Sequence, residues 1–272
     1  MIPAAFSYVR AGSVQEALDE LSRHGGAARL LAGGHSLLPA MKLRRAEPGV
    51  LIDIGRLGEL AYVRADGDRI AVGALTRHRT LERDPLVAEH VPLLAAAAAR
   101  IGDQQVRNRG TIGGSLANAD PAADLAAAVL ALDGVLVARG PAGEREIPAR
   151  EFFTGRCRSA LAAGEMLTEI RLPAATGRSY AFEKFSRRAL DWAVVGVAAQ
   201  ARPGGVAVAL IGMGPTPVRA TAVEEALAAG TPSAEAARLA ARGCEPPDNA
   251  AASASYRVHL AEVLVGRALA AL

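Results

Sequence analysis

The chain has 272 residues, 51 % of them hydrophobic, enough for one large core or two modest ones, and it holds no uninterrupted apolar run that would span a bilayer. Its net charge of +3 arises from interspersed Arg, Asp and Glu rather than a run of one sign, which leaves no footprint for nucleic acid. Cys157 and Cys244 are isolated and no histidines cluster, so this chain alone cannot assemble an iron–sulfur cluster or a structural zinc.

The start, Met1-Ile2-Pro3-Ala4-Ala5-Phe6, has no basic stretch before an apolar one, and a cytoplasmic location is expected. Val14, Ala17, Leu18 and Leu21 recur at helical spacing, Gly25-Gly26 stops that helix, and 29–32 and 50–54 read as buried strands. Residues 1–56 are therefore expected to form a small β-α-β unit. The segments 61–64 and 69–72 flank Asp66-Gly67-Asp68 as a hairpin, followed by helices over 81–89 and 92–101 and a polar stretch at 102–110. A helix over 122–132 and strands at 135–137 and 165–172 complete a second unit, 57–173. After a linker at 174–177, strands at 180–185, 193–202 and 206–211 predict a three-stranded antiparallel sheet. Helices over 222–228, 234–242 and 255–271 then give a C-terminal α+β domain, 178–272.

Two glycine segments carry the chemistry: Ala32-Gly33-Gly34-His35-Ser36 after a strand, and Thr111-Ile112-Gly113-Gly114-Ser115. Adjacent glycines beside a hydroxyl residue let main-chain N–H groups converge on an anion, and two such segments suit a long, doubly charged ligand. Neither is a P-loop. The nearest approach to a dinucleotide fingerprint, Gly212-Met213-Gly214-Pro215-Thr216-Pro217, has proline in place of the third glycine. Asp124 admits two readings, a helix-initiating acid after Pro121 or an acceptor for ribose or ribityl hydroxyls. The amide-rich 104–109 stretch is either a surface loop or a brace for the segment that follows. Trp192, ahead of an apolar strand, either joins the core or stacks on a planar heterocycle.

The stretches 31–44 and 105–124 together resemble the FAD-binding medium subunit of molybdenum hydroxylases, above all the branch of carbon monoxide dehydrogenase medium chains within the xanthine dehydrogenase family. Gly164-Glu165-Met166-Leu167, the run from Lys184 to Ala193, Gly214 to Ala220 and Tyr256 to Leu260 extend the resemblance, in order, over nearly the whole chain. It implies an α+β protein: a two-part FAD-binding region of the vanillyl-alcohol-oxidase (PCMH) type followed by the C-terminal domain. It further implies that Ala32, Gly33, Gly34, His35 and Ser36, with Thr111, Ile112, Gly113, Gly114 and Ser115, hold the diphosphate and adjoining ribityl of a non-covalent FAD. By the same resemblance Asp124 is a polar ligand of the cofactor, Leu167 packs near adenine, and Lys184 and Trp192 lie close to the flavin. Many relatives carry Asn where this chain has Ser115.

No catalytic acid, base or nucleophile follows from the resemblance. In such enzymes a large molybdopterin subunit oxidises substrate, a small subunit with two [2Fe–2S] clusters relays electrons, and FAD delivers them to an external acceptor, in a dimer of heterotrimers. Any membrane association is then made through the complex. A self-sufficient flavin oxidase and a redox-silent scaffold are the alternatives; the first needs a substrate pocket and base of its own, and the second leaves the glycine segments without a purpose.

Overall fold

Four sheets organise residues 2–272, which the computed structural model describes. The first is wholly parallel, in the order β1 (Ser7–Arg10), β3 (Val50–Asp53), β2 (Ala28–Leu31). Helix α1 (Val14–His24) starts where Ser13 accepts the Glu16 N–H, and Val14, Ala17 and Leu18 seal it onto Val50, Ile52 and Ile54. The first glycine segment leaves the end of β2 and enters α2 (Leu37–Lys42). Strand β1 and helix α2 do not stand out in the sequence, since β1 is largely exposed and α2 is a single short run.

The second sheet is antiparallel, in the order β4 (Val63–Asp66), β5 (Arg69–Gly73), β10 (Met166–Pro173), β6 (Val135–Gly140), β7 (Gly143–Pro148). Six helices run between β5 and β6. Where two were expected over 81–101 there are three: α3 (His78–Arg83), α4 (Pro85–His90) and α5 (Pro92–Ala99). Pro85 and Pro92 lack an N–H to continue the preceding helix, yet suit the first turn of the next, and Asp84 caps α4 through the N–H groups of Leu86 and Val87. The polar stretch at 102–110 is mostly helix, α6 (Gln104–Arg109), capped by Asp103 on the Val106 N–H. The second glycine segment is no loop either, because Thr111 caps α7 (Ile112–Asn118) and the glycines fill its first turn. Helix α8 (Asp124–Ala131) is buried at every position, as its Ala-rich, all-round apolar sequence requires. The short α9 (Ala149–Phe152) and the small third sheet of β8 (Phe153–Gly155) and β9 (Arg158–Ser159) follow β7.

The C-terminal sheet has the three strands expected, β11 (Tyr180–Phe185), β12 (Val195–Arg202) and β13 (Gly205–Ile211), with a fourth, two-residue β14 (Val218–Arg219) on its edge. Alternation along β12 sends Val195, Val197 and Ala199 toward α12 (Ala254–Ala270) and Ala198 into the core around α8. Helices α10 (Thr221–Ala228) and α11 (Ser233–Ala236) pack beside α12, and the helix expected over 234–242 gives way to a 3-10 turn at Ala237–Leu239. One core therefore joins residues of the second sheet and α8 to Phe182, Ala207, Ala209 and Ile211 of the C-terminal sheet.

Candidate cofactor site

The structure brings the two glycine segments together. Gly33 is buried against the link into the second segment: a Cβ there would overlap the Arg109 carbonyl oxygen and lie 2.9 Å from Gly110 Cα. A Cβ on Gly114 would stand 3.9 Å from that of Ala32. Gly34 has φ +77°, a left-handed conformation that glycine adopts without strain, and this turns the chain into α2. His35 is exposed, with Nδ1 2.9 Å from the Gly33 carbonyl oxygen.

The segments differ in what their main chains offer. The N–H groups of Gly33, Gly34, His35 and Ser36 have no acceptor among the described residues, so four consecutive donors stand open across a left-handed turn. Successive unpaired N–H groups around a left-handed turn are the backbone feature from which anion nests are built. In the second segment, Ile112 donates to the Thr76 carbonyl at 3.0 Å, Gly113 to Ala74 at 2.8 Å, Ser115 to Thr111 at 3.0 Å, and Gly114 to Thr111 Oγ1 at 3.2 Å. Two equivalent anion loops were expected; in the second segment the Ile112 and Gly113 amides dock α7 on the residues just after β5, and those of Gly114 and Ser115 close its first turn on Thr111. Gly113 is required for that docking, since a Cβ would come within 2.5 Å of the Ala74 Cβ, whereas Gly114 is exposed and has no positive φ. Ile112 is fully buried and Ser115 partly exposed on α7.

Asp124 and Lys184 form a buried ion pair at 2.8 Å, their side chains 5 % and 4 % exposed. Lys184 Nζ also donates to the Arg100 carbonyl at 3.0 Å, while Asp124 Oδ1 is buried with no partner. Burial pushes the Asp124 carboxyl up to about 6, and the Lys184 ammonium holds it from rising further. Asp124 does begin a helix, as one reading required, but an unpartnered oxygen in so dry a place is one that an additional donor would satisfy. Leu167 is buried on β10 in the same core as Ile112, Leu116 and Leu125, presenting only an apolar surface. Trp192 is 56 % exposed in the 186–194 loop between β11 and β12, which removes it from the core.

The side chains of Gln104, Gln105 and Asn108 do not brace the glycine segments; main chain does it instead, through Arg109. Arg77, absent from the sequence reading, donates from Nη1 to that same Arg109 carbonyl. His78 is buried, its main-chain N–H bound to the Gly110 carbonyl at 3.1 Å, and a Cβ on Gly110 would lie 2.5 Å from its ring. Burial, then the charges of His35, Arg77 and Arg107, push its imidazole down to about 4, so it is neutral at physiological pH. A cleft of about 150 Å³ opens beside this group, walled by Gly55, Arg56, Thr76, Arg77 and Thr80. A larger cavity of about 220 Å³ lies elsewhere, where Glu169 binds Arg64 at 2.9 Å and Tyr62 at 2.5 Å.

Comparison with known proteins covers both parts of the chain. Residues 4–175 match the FAD binding domain in molybdopterin dehydrogenase, and residues 180–272 the CO dehydrogenase flavoprotein C-terminal domain. The chain belongs to the FAD-binding subunits of the molybdenum hydroxylases. Within that family it is 42 % identical to the carbon monoxide dehydrogenase medium chain of Hydrogenophaga pseudoflava, over 99 % of this chain and 97 % of the relative. It is 39 % identical to the 6-hydroxypseudooxynicotine dehydrogenase complex subunit alpha of Paenarthrobacter nicotinovorans, over 99 % and 95 %. The solved carbon monoxide dehydrogenase of Hydrogenophaga pseudoflava superposes with a TM-score of 0.94, covering 100 % of this chain and 98 % of its counterpart. Quinoline 2-oxidoreductase of Pseudomonas putida 86 does so with a TM-score of 0.92 at 32 % identity and the same coverage. The chain is thus a flavoprotein subunit of a carbon monoxide dehydrogenase-like molybdenum hydroxylase, with an α+β fold in which a C-terminal domain follows the FAD-binding domain. Among the described residues no helix is long and apolar enough to cross a membrane, and no His, Cys, Asp and Glu cluster could hold a metal.

Proposed function

We propose that this subunit holds one non-covalent FAD across its two glycine segments and serves as the electron outlet of a three-subunit cytoplasmic enzyme. The observation that carries the reading is the run of four open amides at 33–36, set against the second glycine segment. These donors suit the diphosphate; Thr111 to Ser115 border the adjoining ribityl, and Asp124 Oδ1 accepts a hydrogen bond from the cofactor. Leu167 supplies apolar contact toward adenine, while Lys184 and the exposed Trp192 attend the flavin end. FAD, when bound, supplies the redox chemistry, and this chain's residues bind it, orient it and keep its surroundings dry. Molybdopterin and the [2Fe–2S] clusters belong to the large and small partner subunits, assembled as a dimer of heterotrimers. The parallel sheet, the five-stranded sheet and the C-terminal sheet correspond in this reading to three units, 1–56, 57–173 and 178–272.

Purified alone, the yellow protein is expected to be reduced by dithionite but not by carbon monoxide, purines or aldehydes, and to release its flavin on denaturation. Adding the cognate large and small subunits restores substrate-dependent reduction. Rapid reduction by such a substrate without partners would favour a self-sufficient oxidase, and colour retained on the precipitated chain would reveal a covalent link.

Asp124→Asn tests the cofactor contact. It keeps shape but removes the carboxylate, so FAD affinity measured on flavin-free protein should fall roughly tenfold, and the melting temperature of that flavin-free form should fall too, because the buried Lys184 ammonium loses its counter-charge. Unchanged affinity would return Asp124 to a purely structural role.

A further inference from the structure

The first glycine segment supplies donors but no formal charge, and the Arg77 guanidinium reaches the main chain packed against it. Neighbouring Arg107 is paired with Glu82 at 2.9 Å, whereas Arg77 makes no ion pair among the described residues. The groups facing it are Arg109, which repels it, and Asp53, which attracts it. Both Asp53 oxygens are already engaged, Oδ1 by the Gly55 N–H at 2.8 Å and Oδ2 by the Tyr8 hydroxyl at 2.6 Å. A guanidinium has five N–H donors, and Arg77 commits Nη1 to the Arg109 carbonyl, the oxygen against which Gly33 is packed. Arg77 is thus tied to the carbonyl on which Gly33, the first of the four open amides, is packed, it keeps further N–H donors, and it also walls the 150 Å³ cleft.

We propose that Arg77 is the charged determinant of diphosphate recognition, its guanidinium offsetting phosphate charge that the Gly33 to Ser36 amides only hydrogen-bond. The proposal rests on the reading of segment 33–36 as the diphosphate cradle. It assigns separate tasks to neighbouring groups: the amides fix position, and Arg77 sets electrostatic affinity.

The test uses the full chain stripped of flavin, with ADP and adenosine as competitors against FAD. Arg77→Gln keeps an N–H for the Arg109 carbonyl while removing the charge. It should weaken ADP about tenfold, flatten the dependence of ADP binding on salt, and leave adenosine unchanged. Arg77→Lys, which keeps the charge, should retain the salt dependence. The proposal is overturned by a Gln variant with wild-type ADP affinity and salt dependence, by equal losses for ADP and adenosine, or by a Lys variant as flat in salt as the Gln variant. Failure of ADP to compete with FAD on the wild-type chain would instead sink the cradle reading itself.

Discussion

Lys184→Met is expected to destabilise the protein by about 3 kcal/mol near pH 8, because it leaves the Asp124 carboxylate buried without its counter-charge. The size of the loss depends on pH in a defined direction. The folded-state pKa of Asp124, about 6, lies above its ordinary value, so the folded protein binds this proton more tightly than the unfolded chain. The group's contribution to stability is therefore greatest in acid, declines as pH rises toward about 6, and is flat beyond. Without Lys184 the carboxyl moves further up, and the decline continues to higher pH. Melting curves of the two proteins should consequently converge near about pH 5 and diverge above neutrality. A pH-independent difference would show that lost packing, and not the stranded charge, is what the variant reports. Adding Asp124→Leu to Lys184→Met should recover most of the stability at high pH, since a fully apolar pair has no charge left to desolvate.

Gly33→Ala should have the other large effect. The new methyl would overlap the Arg109 carbonyl oxygen and sit 2.9 Å from Gly110 Cα, both main-chain atoms of the segment leading into α7, so the two glycine segments must separate. Overpacking of this kind costs about 1–3 kcal/mol, and here it also spreads the four open amides. The purified variant should lose most of its flavin, read as the ratio of flavin to protein absorbance, along with a lowered melting temperature. Gly26→Ala is the matched control: nothing lies within 4 Å of its added Cβ and its φ is not positive. A Gly33→Ala protein with a full flavin complement would remove the packed glycine segments from the cofactor site.

Legibility in the sequence follows the range of the interactions. Helix α8 and strands β11 to β13 were readable because burial on all sides, or on alternate sides, writes a local pattern into consecutive residues. The division of 81–101 into three helices was also available, in Pro85 and Pro92. Strand β7 was not, since Glu144, Arg145 and Glu146 lie on an exposed edge and carry no apolar alternation. The glycine segments were visible as composition, yet the engagement of the Ile112 and Gly113 amides depends on Thr76 and Ala74, which approach only when β5 is in place. Arg77 and His78 have no signal of their own, because their importance comes from touching Arg109 and Gly110 across a turn between elements. Trp192 precedes a strand in sequence, but β12 begins only at Val195, and the indole is left outside it.

Helix α8 is fastened to the C-terminal domain at both ends: by Asp124 to Lys184 at its start, and beyond its last turn by Arg219, which binds the Leu130 carbonyl at 3.2 Å and Asp133 at 2.8 Å. Arg202 adds a second bond to Asp133 at 2.9 Å, and Gly212 donates to the Pro121 carbonyl at 2.8 Å. With a continuous core between these anchors, the C-terminal domain cannot swing as a lid, since any hinge motion would tear apolar contacts and strand charges together. The distance from Asp124 to the C-terminal sheet is thus a fixed dimension of the subunit. The 186–194 loop lies outside this fastening, and its exposed Leu190 and Trp192 are free to change position while the frame behind them stays still.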